Sequence, residues 1–162
     1  MPTDTTTASA PSTRPADIWQ AIRTDIENFI CEVNALKGAL ADKEEESRRK
    51  TKELLLNMLE VLDAFDRLFA NIAPREAQAD QQTRIWLGNF RSVRRLLEKK
   101  LSSEGVAPIV APEGKAIPGF HTVAETEENL DLDNDTILQE LQKGYLWNGE
   151  VLRKAQVRVV KN

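Results

Sequence analysis

Cysteine is nearly absent: Cys31 stands alone, which excludes an internal disulfide framework and a cysteine-based zinc site. Histidine is equally scarce. With His121 as its single copy, the chain cannot assemble a histidine cluster or a His–Cys dyad for metal or nucleophilic chemistry. No apolar run approaches the roughly 18 residues that a bilayer-spanning helix needs. Positive charge is not in excess either: the net charge of −4 argues against a general nucleic-acid binder and gives no support to a polybasic membrane surface. A glycine-rich phosphate cradle is missing, so direct nucleotide binding is not expected. The N-terminus shows neither an apolar h-region nor an Arg-rich amphipathic pattern, so a targeting segment is not expected and a reducing, cytoplasmic setting is the default. No constellation of acid, base and nucleophile is visible; the chain reads as neither an enzyme nor a cofactor carrier.

Breakers are missing where they would matter most. Between Ala16 and Ala73 there is no proline, and Gly38 is the one glycine. Over that stretch Trp19, Ile22, Ile26, Phe29, Val33, Leu36 and Leu40 recur by threes and fours, a heptad a/d seam that needs a partner helix to cover it. A continuous helix from Asp17 to Ile72 would extend roughly 80 Å, too long to bury itself within its own chain. Homodimerisation is the first expectation. The same phase then meets Lys43, Ser47 and Lys50 inside ADKEEESRRKTKE, either a solvated part of a stalk or a deliberately weak zone. Glu44–Arg48, Glu45–Arg49 and Glu46–Lys50 stand at i,i+4 in the favourable order, each worth about 0.2–0.5 kcal/mol of helix stability.

From Leu54 the apolar face doubles. Leu54, Met58, Val61, Phe65, Leu68 and Ile72 form one stripe; Leu55, Leu59, Leu62 and Phe69 form a second beside it. A face this broad meets more than one neighbour, as in a bundle. Ala73-Pro74 is expected to end the helix. A second, antiparallel helix is expected at about Glu76–Ser103, with Ile85, Trp86, Phe90, Val93, Leu96, Leu97 and Leu101 as its apolar face. Two such hairpins, one per subunit, would make a four-helix bundle.

After Glu104-Gly105 the signals turn to β. Val106–Val110 and His121–Glu125 are candidate strands, and Asn129–Thr136 is an acidic loop. Ile137–Leu146 and Glu150–Val160 flank Asn148-Gly149, a dipeptide suited to the two positive-φ positions of a type I′ hairpin turn. The fold class is therefore α+β, with a disordered tail at 1–16, a helical stalk and bundle at 17–104, and a small β domain at 105–162. Asp131, Asp133 and Asp135 invite a calcium reading, but the glycine and bidentate Glu of that loop pattern are missing. His121 reads as a turn residue or a site, Cys31 as a passive helix residue just outside the seam. Tyr145 and Trp147 are equally open to core packing and to partner contact.

The residues from Leu141 to Asn162, LQKGYLWNGEVLRKAQVRVVKN, resemble the terminal signature of the GrpE family, the nucleotide exchange factors of DnaK-type chaperones. Lys143, Gly144, Tyr145, Gly149, Leu152, Arg153, Ala155, Val157 and Val159 fall in its register. MLEVLDAFDRLF at 58–69, Pro118-Gly-Phe-His121, and Asn34 with Lys37 are similar to three further family elements, in the same order. The chain departs from the pattern at Ile117 and Thr122 around the Pro-x-x-His element, at Glu150 where an Arg is common, and in a basic cluster reduced to Lys37. The resemblance implies a parallel homodimer built on Ile22, Ile26, Phe29, Val33, Leu36, Leu40, Leu54, Met58, Val61 and Phe65. It also implies a β domain that binds the chaperone's ATPase domain and lets ADP leave. Pro118, His121, Gly144, Tyr145, Asn148, Gly149, Arg153 and Lys37 are the partner-binding candidates it carries over. A coiled-coil adaptor without exchange activity is the alternative.

Overall fold

The computed structural model describes residues 14–76 and 78–162. The tail expected to be disordered lies, up to residue 13, outside them. Helix α1 runs Pro15–Glu76 (62 residues) and α2 runs Gln81–Ser103. Six strands follow: β1 Val106–Pro108, β2 His121–Glu127, β3 Ile137–Gln142, β4 Tyr145–Trp147, β5 Glu150–Arg153 and β6 Ala155–Val160. The chain divides into two compact units, one ending at Arg49 and the other beginning at Lys50.

The first unit is the leading part of α1. Its seam is bare: Ile22, Ile26, Phe29, Leu36 and Leu40 are exposed and Val33 is half-buried.

In the second unit the rest of α1 packs on α2 and on the strands. The two apolar stripes of α1 part company here. Leu55, Leu59 and Leu62 are buried with Leu101, Val106, Tyr145 and Leu152, and Met58, Leu97 and Trp147 pack at the margin. Leu54 and Val61 stay 60% and 49% exposed, in line with Ile85, Trp86, Phe90, Val93 and Leu96 of α2, which are also exposed.

Both ends of the helical link differ from expectation. The first helix runs on through Pro74 to Glu76, since a proline in a final turn removes a single backbone bond. Arg91 of α2 also ties Glu76 down through a 2.7 Å ion pair. The second helix begins at Gln81, not near Glu76, because Asp80 is its N-cap and accepts the Thr83 N–H at 2.7 Å. An Asp in that role satisfies one of the orphan donors of the first turn.

The strands form two three-stranded sheets, ordered β1-β4-β5 and β2-β6-β3. The arms around Asn148-Gly149 do form a hairpin, and both residues have positive φ, 51° and 86°. Each expected arm is interrupted, however. One breaks at Lys143-Gly144 and the other at Lys154, so β4 and β5 pair in the first sheet while β3 and β6 pair in the second. Alongside β6 lies β2 in parallel, with His121 opposite Ala155. Ala155, Val157 and Val159 form the second core with Ala116 and Ile137.

Candidate partner-binding surface

Where the hairpin arms cross from one sheet to the other, a carboxylate of α1 holds both. Arg153, at the end of β5, donates Nη1–H to Asp63 Oδ2 at 2.7 Å and Nη2–H to Asp63 Oδ1 at 2.8 Å. From the other arm Gln142 donates its Nε2–H to Asp63 Oδ2 at 2.7 Å. The same guanidinium reaches across the arms to the Lys143 carbonyl, with Nη2 at 2.8 Å and Nε at 3.2 Å. Burial alone would raise the Asp63 pKa; the hydrogen bonds from Arg153 and Gln142, with the Arg153 charge, outweigh it and hold the carboxyl below its ordinary range.

One turn along α1, Asp66 receives Arg94 of α2 at 2.8 Å and Lys143 Nζ at 3.2 Å. Arg94 is braced in turn by Glu98 at 3.0 Å. The Arg153 guanidinium lies 5.7 Å from the centre of the Tyr145 ring, within cation–π range. Tyr145 is only 7% exposed. Burial, then the Asp66 and Glu98 charges, push its phenol up to about 12.

At the hairpin tip the Asn148 N–H donates to the Gly105 carbonyl at 3.0 Å, which ties the turn to the end of α2. On the second sheet, His121 Nδ1 accepts the Ile117 N–H at 3.1 Å, and the His121 N–H donates to the Ile117 carbonyl at 3.1 Å. The ring thus braces the Ile117–His121 turn and leaves Pro118 exposed at its apex.

The GrpE family model matches residues 16–161. A relative named Protein GrpE from Methanosphaera stadtmanae is 32% identical over 145 residues, covering 90% of this chain and 75% of its own length. The chain belongs to the GrpE family. Proteins of the same name from Oceanobacillus iheyensis and Chlorobium luteolum are 29% and 30% identical, over 79% and 71% of this chain and 64% and 58% of their own lengths. The chain thus spans about six tenths of those two. GrpE proteins are nucleotide exchange co-chaperones of DnaK-type chaperones, and nothing in the comparisons favours the adaptor alternative.

Within this GrpE-family chain the candidate residues fall in four places. Gly144, Tyr145 and Arg153 lie together beneath the surface at the arm crossing. Asn148 and Gly149 are exposed at the tip of the first sheet, while Pro118 and the half-buried His121 belong to the edge of the second. Lys37 is exposed on α1 in the other unit. Read from sequence, Asp63 and Asp66 fall on the outside or at the edge of the apolar stripe, and no role goes to them, to Arg94 or to Gln142. Asp63 and Asp66 carried the one available signal, acidic residues at i,i+3 within the apolar stretch 58–69 that reads as family-like.

In the acidic triplet, Asp133 is paired with Lys115 at 2.9 Å. Among the described residues no group of His, Cys, Asp and Glu is arranged to hold a metal ion. No helix described is long and apolar enough to cross a membrane.

Proposed function

We propose that this chain works as a homodimer that binds the ATPase domain of a DnaK-type chaperone through its β strands and promotes ADP release. The observation that carries the dimer is the apolar face left open in the second unit. Leu54, Val61 and Leu68 of α1 and Ile85, Trp86, Phe90, Val93 and Leu96 of α2 are all more than a third exposed. Large apolar side chains left exposed at helical spacing on both helices mark an interaction face, and an isologous pairing of two helical hairpins covers them as a four-helix bundle. In the first unit the bare seam of Ile22, Ile26, Phe29, Val33, Leu36 and Leu40 is covered by the same residues of a second, parallel copy.

Exchange needs no covalent chemistry from this chain, and we assign it no catalytic residue, cofactor or nucleotide site of its own. A bound partner shifts a conformational equilibrium only as far as it prefers one state. The β strands act by binding the open nucleotide cleft better than the closed one. Pro118, His121, Asn148 and Gly149 face the chaperone; Gly144, Tyr145 and Arg153 hold that surface from below, and Lys37 makes a separate contact. Nucleic acid and membranes are not partners in this reading, and its compartment is the cytoplasm.

The test is stopped-flow release of a fluorescent ADP analogue from the cognate DnaK-type chaperone, with and without the full chain. A saturable acceleration supports the reading. An intact dimer that leaves the release rate unchanged with every DnaK-type chaperone of the source organism sinks it.

A further inference from the structure

The two sheets are attached to the helices in different ways. The first is glued by apolar packing: Val106, Tyr145 and Leu152 share one core with Leu55, Leu59, Leu62 and Leu101. The second sheet has a core of its own, Ala155, Val157 and Val159 with Ala116 and Ile137, and no helix residue among the described ones belongs to it. Between α1 and this sheet runs a cleft of about 530 Å³ whose lining includes Arg67, Ala70, Gln139 and Gln156. Asp63 and Asp66 line this cleft beside the two crossing arms, which together with the segment 109–120 between β1 and β2 are the covalent links between the sheets.

We propose that Asp63 is a positioning residue for nucleotide exchange. By clamping both arms at the crossing, it fixes the angle of the second sheet against the helices and the first sheet. The geometry fits a clamp closely. One carboxylate takes two hydrogen bonds from Arg153 on the outgoing arm and one from Gln142 on the incoming arm. The Arg153 guanidinium then closes the loop onto the Lys143 carbonyl. A planar guanidinium bound bidentately fixes direction as well as distance, which a single ammonium contact such as Lys143–Asp66 does not.

The role follows from how exchange must work, and it rests on the function proposed above. The candidate contacts are shared between the sheets, Asn148 and Gly149 on the first, Pro118 and His121 on the second. If the sheets are held at one angle, the pair fits one cleft geometry and rejects the other. If the second sheet can swivel, it follows the cleft into both states, and the preference that drives release is lost while binding survives. Loosening the clamp therefore separates efficacy from affinity.

The experiment is the ADP-analogue release assay run over a range of concentrations of the full-length chain, reading the plateau rate and the half-saturating concentration. For Asp63→Asn and Arg153→Lys the plateau falls about tenfold, equivalent to about 1.4 kcal/mol in the barrier, while half-saturation moves less than threefold. Sedimentation and circular dichroism check that each variant remains a folded dimer. Should Asp63→Asn not fold, Gln142→Leu takes its place, with an expected fall of about threefold, the low end for one lost hydrogen bond, since the Arg153 pair remains. Variants with an unchanged plateau, or with plateau and half-saturation moving by the same factor, would overturn the proposal. A wild-type chain without any acceleration overturns both this proposal and the function it rests on, whereas an active wild type with indistinguishable variants overturns the clamp alone.

Discussion

Gly144→Ala tests the packing of the arm crossing with a single methyl group. The residue is not at positive φ, so backbone freedom is not what requires glycine there; space is. A Cβ built on Gly144 would overlap the backbone nitrogen of Ala155, and would fall 2.9 Å from the Ala155 Cα and 2.8 Å from Ile109 Cδ1. The Ile109 methyl can swing away. The Ala155 backbone cannot move without parting the arms, because its N–H is bonded to the Phe120 carbonyl at 3.0 Å while the Gly144 carbonyl accepts the Ile109 N–H at 2.9 Å. Overpacking of this kind costs about 1–3 kcal/mol, and with rigid backbone on one side the upper end applies. With a urea slope of about 2 kcal/mol per M, that is a midpoint lowered by roughly 1–1.5 M. Trp147, which packs against the shared core, reports the transition by fluorescence once Trp19 and Trp86 are changed to Phe. Gly38→Ala is the control: nothing lies within 4 Å of its Cβ position, and it should gain about 0.5–1 kcal/mol of helix stability with the Trp147 midpoint in place. A Gly144→Ala midpoint within about 0.3 M of wild type would refute the reasoning.

Leu59→Ala, at a site with no exposed surface, should cost about 2–5 kcal/mol in urea unfolding. Leu54→Ala, 60% exposed in the single chain, should instead weaken self-association in sedimentation runs at low concentration. Trp86→Asp with Val93→Asp should yield a folded monomer by the same measurement, and a persistent dimer would count against the helical face as the interface. Acid unfolding should involve Asp63. Its carboxyl is held below the ordinary 3.8, so its stabilisation is complete above that pH and is lost as pH falls through the lower folded value; in Asp63→Asn that part of the acid sensitivity should disappear. At the alkaline end, the phenol of Tyr145 rises from 10.0 to about 12. Burial thus favours the neutral form, and stability should fall by roughly 2–3 kcal/mol between those values. Tyr145→Phe should remove that slope in alkaline urea titrations.

The helices were legible because their signal is local. Period and the absence of breakers determined α1, and the two stripes beginning at Leu54 and Leu55 announced two neighbours. Which stripe would go inside was not legible, because both are apolar throughout and the choice is made by Leu101, Val106 and Tyr145, far along the chain. The hairpin turn was legible for the same local reason, since Asn148-Gly149 states its own dihedral angles. The crossing was not. The glycine at 144 and the slip of alternation across Lys154 mark irregularity without saying which strands pair, and the close approach that demands Gly144 exists only once Ala155 is opposite. The parallel partnership of β2 with β6 and the bond between Asp63 and Arg153, 90 residues apart, are likewise products of topology.

That distinction bears on what the family signature means physically. Gly144, Tyr145 and Arg153 are the residues that make the chain recognisable, and the fold uses all three: one for the space between the arms, one for the shared core, one for the clamp. In the proposed function these three hold the contact surface from below. The exposed positions around it include Glu150 beside the hairpin tip and Ile117 beside the His121 turn, and in that reading a change of charge at the tip acts on the contact with the chaperone. Exchanging Glu150 for Arg should alter the half-saturating concentration in the release assay more than the plateau, the opposite of the pattern expected for Asp63.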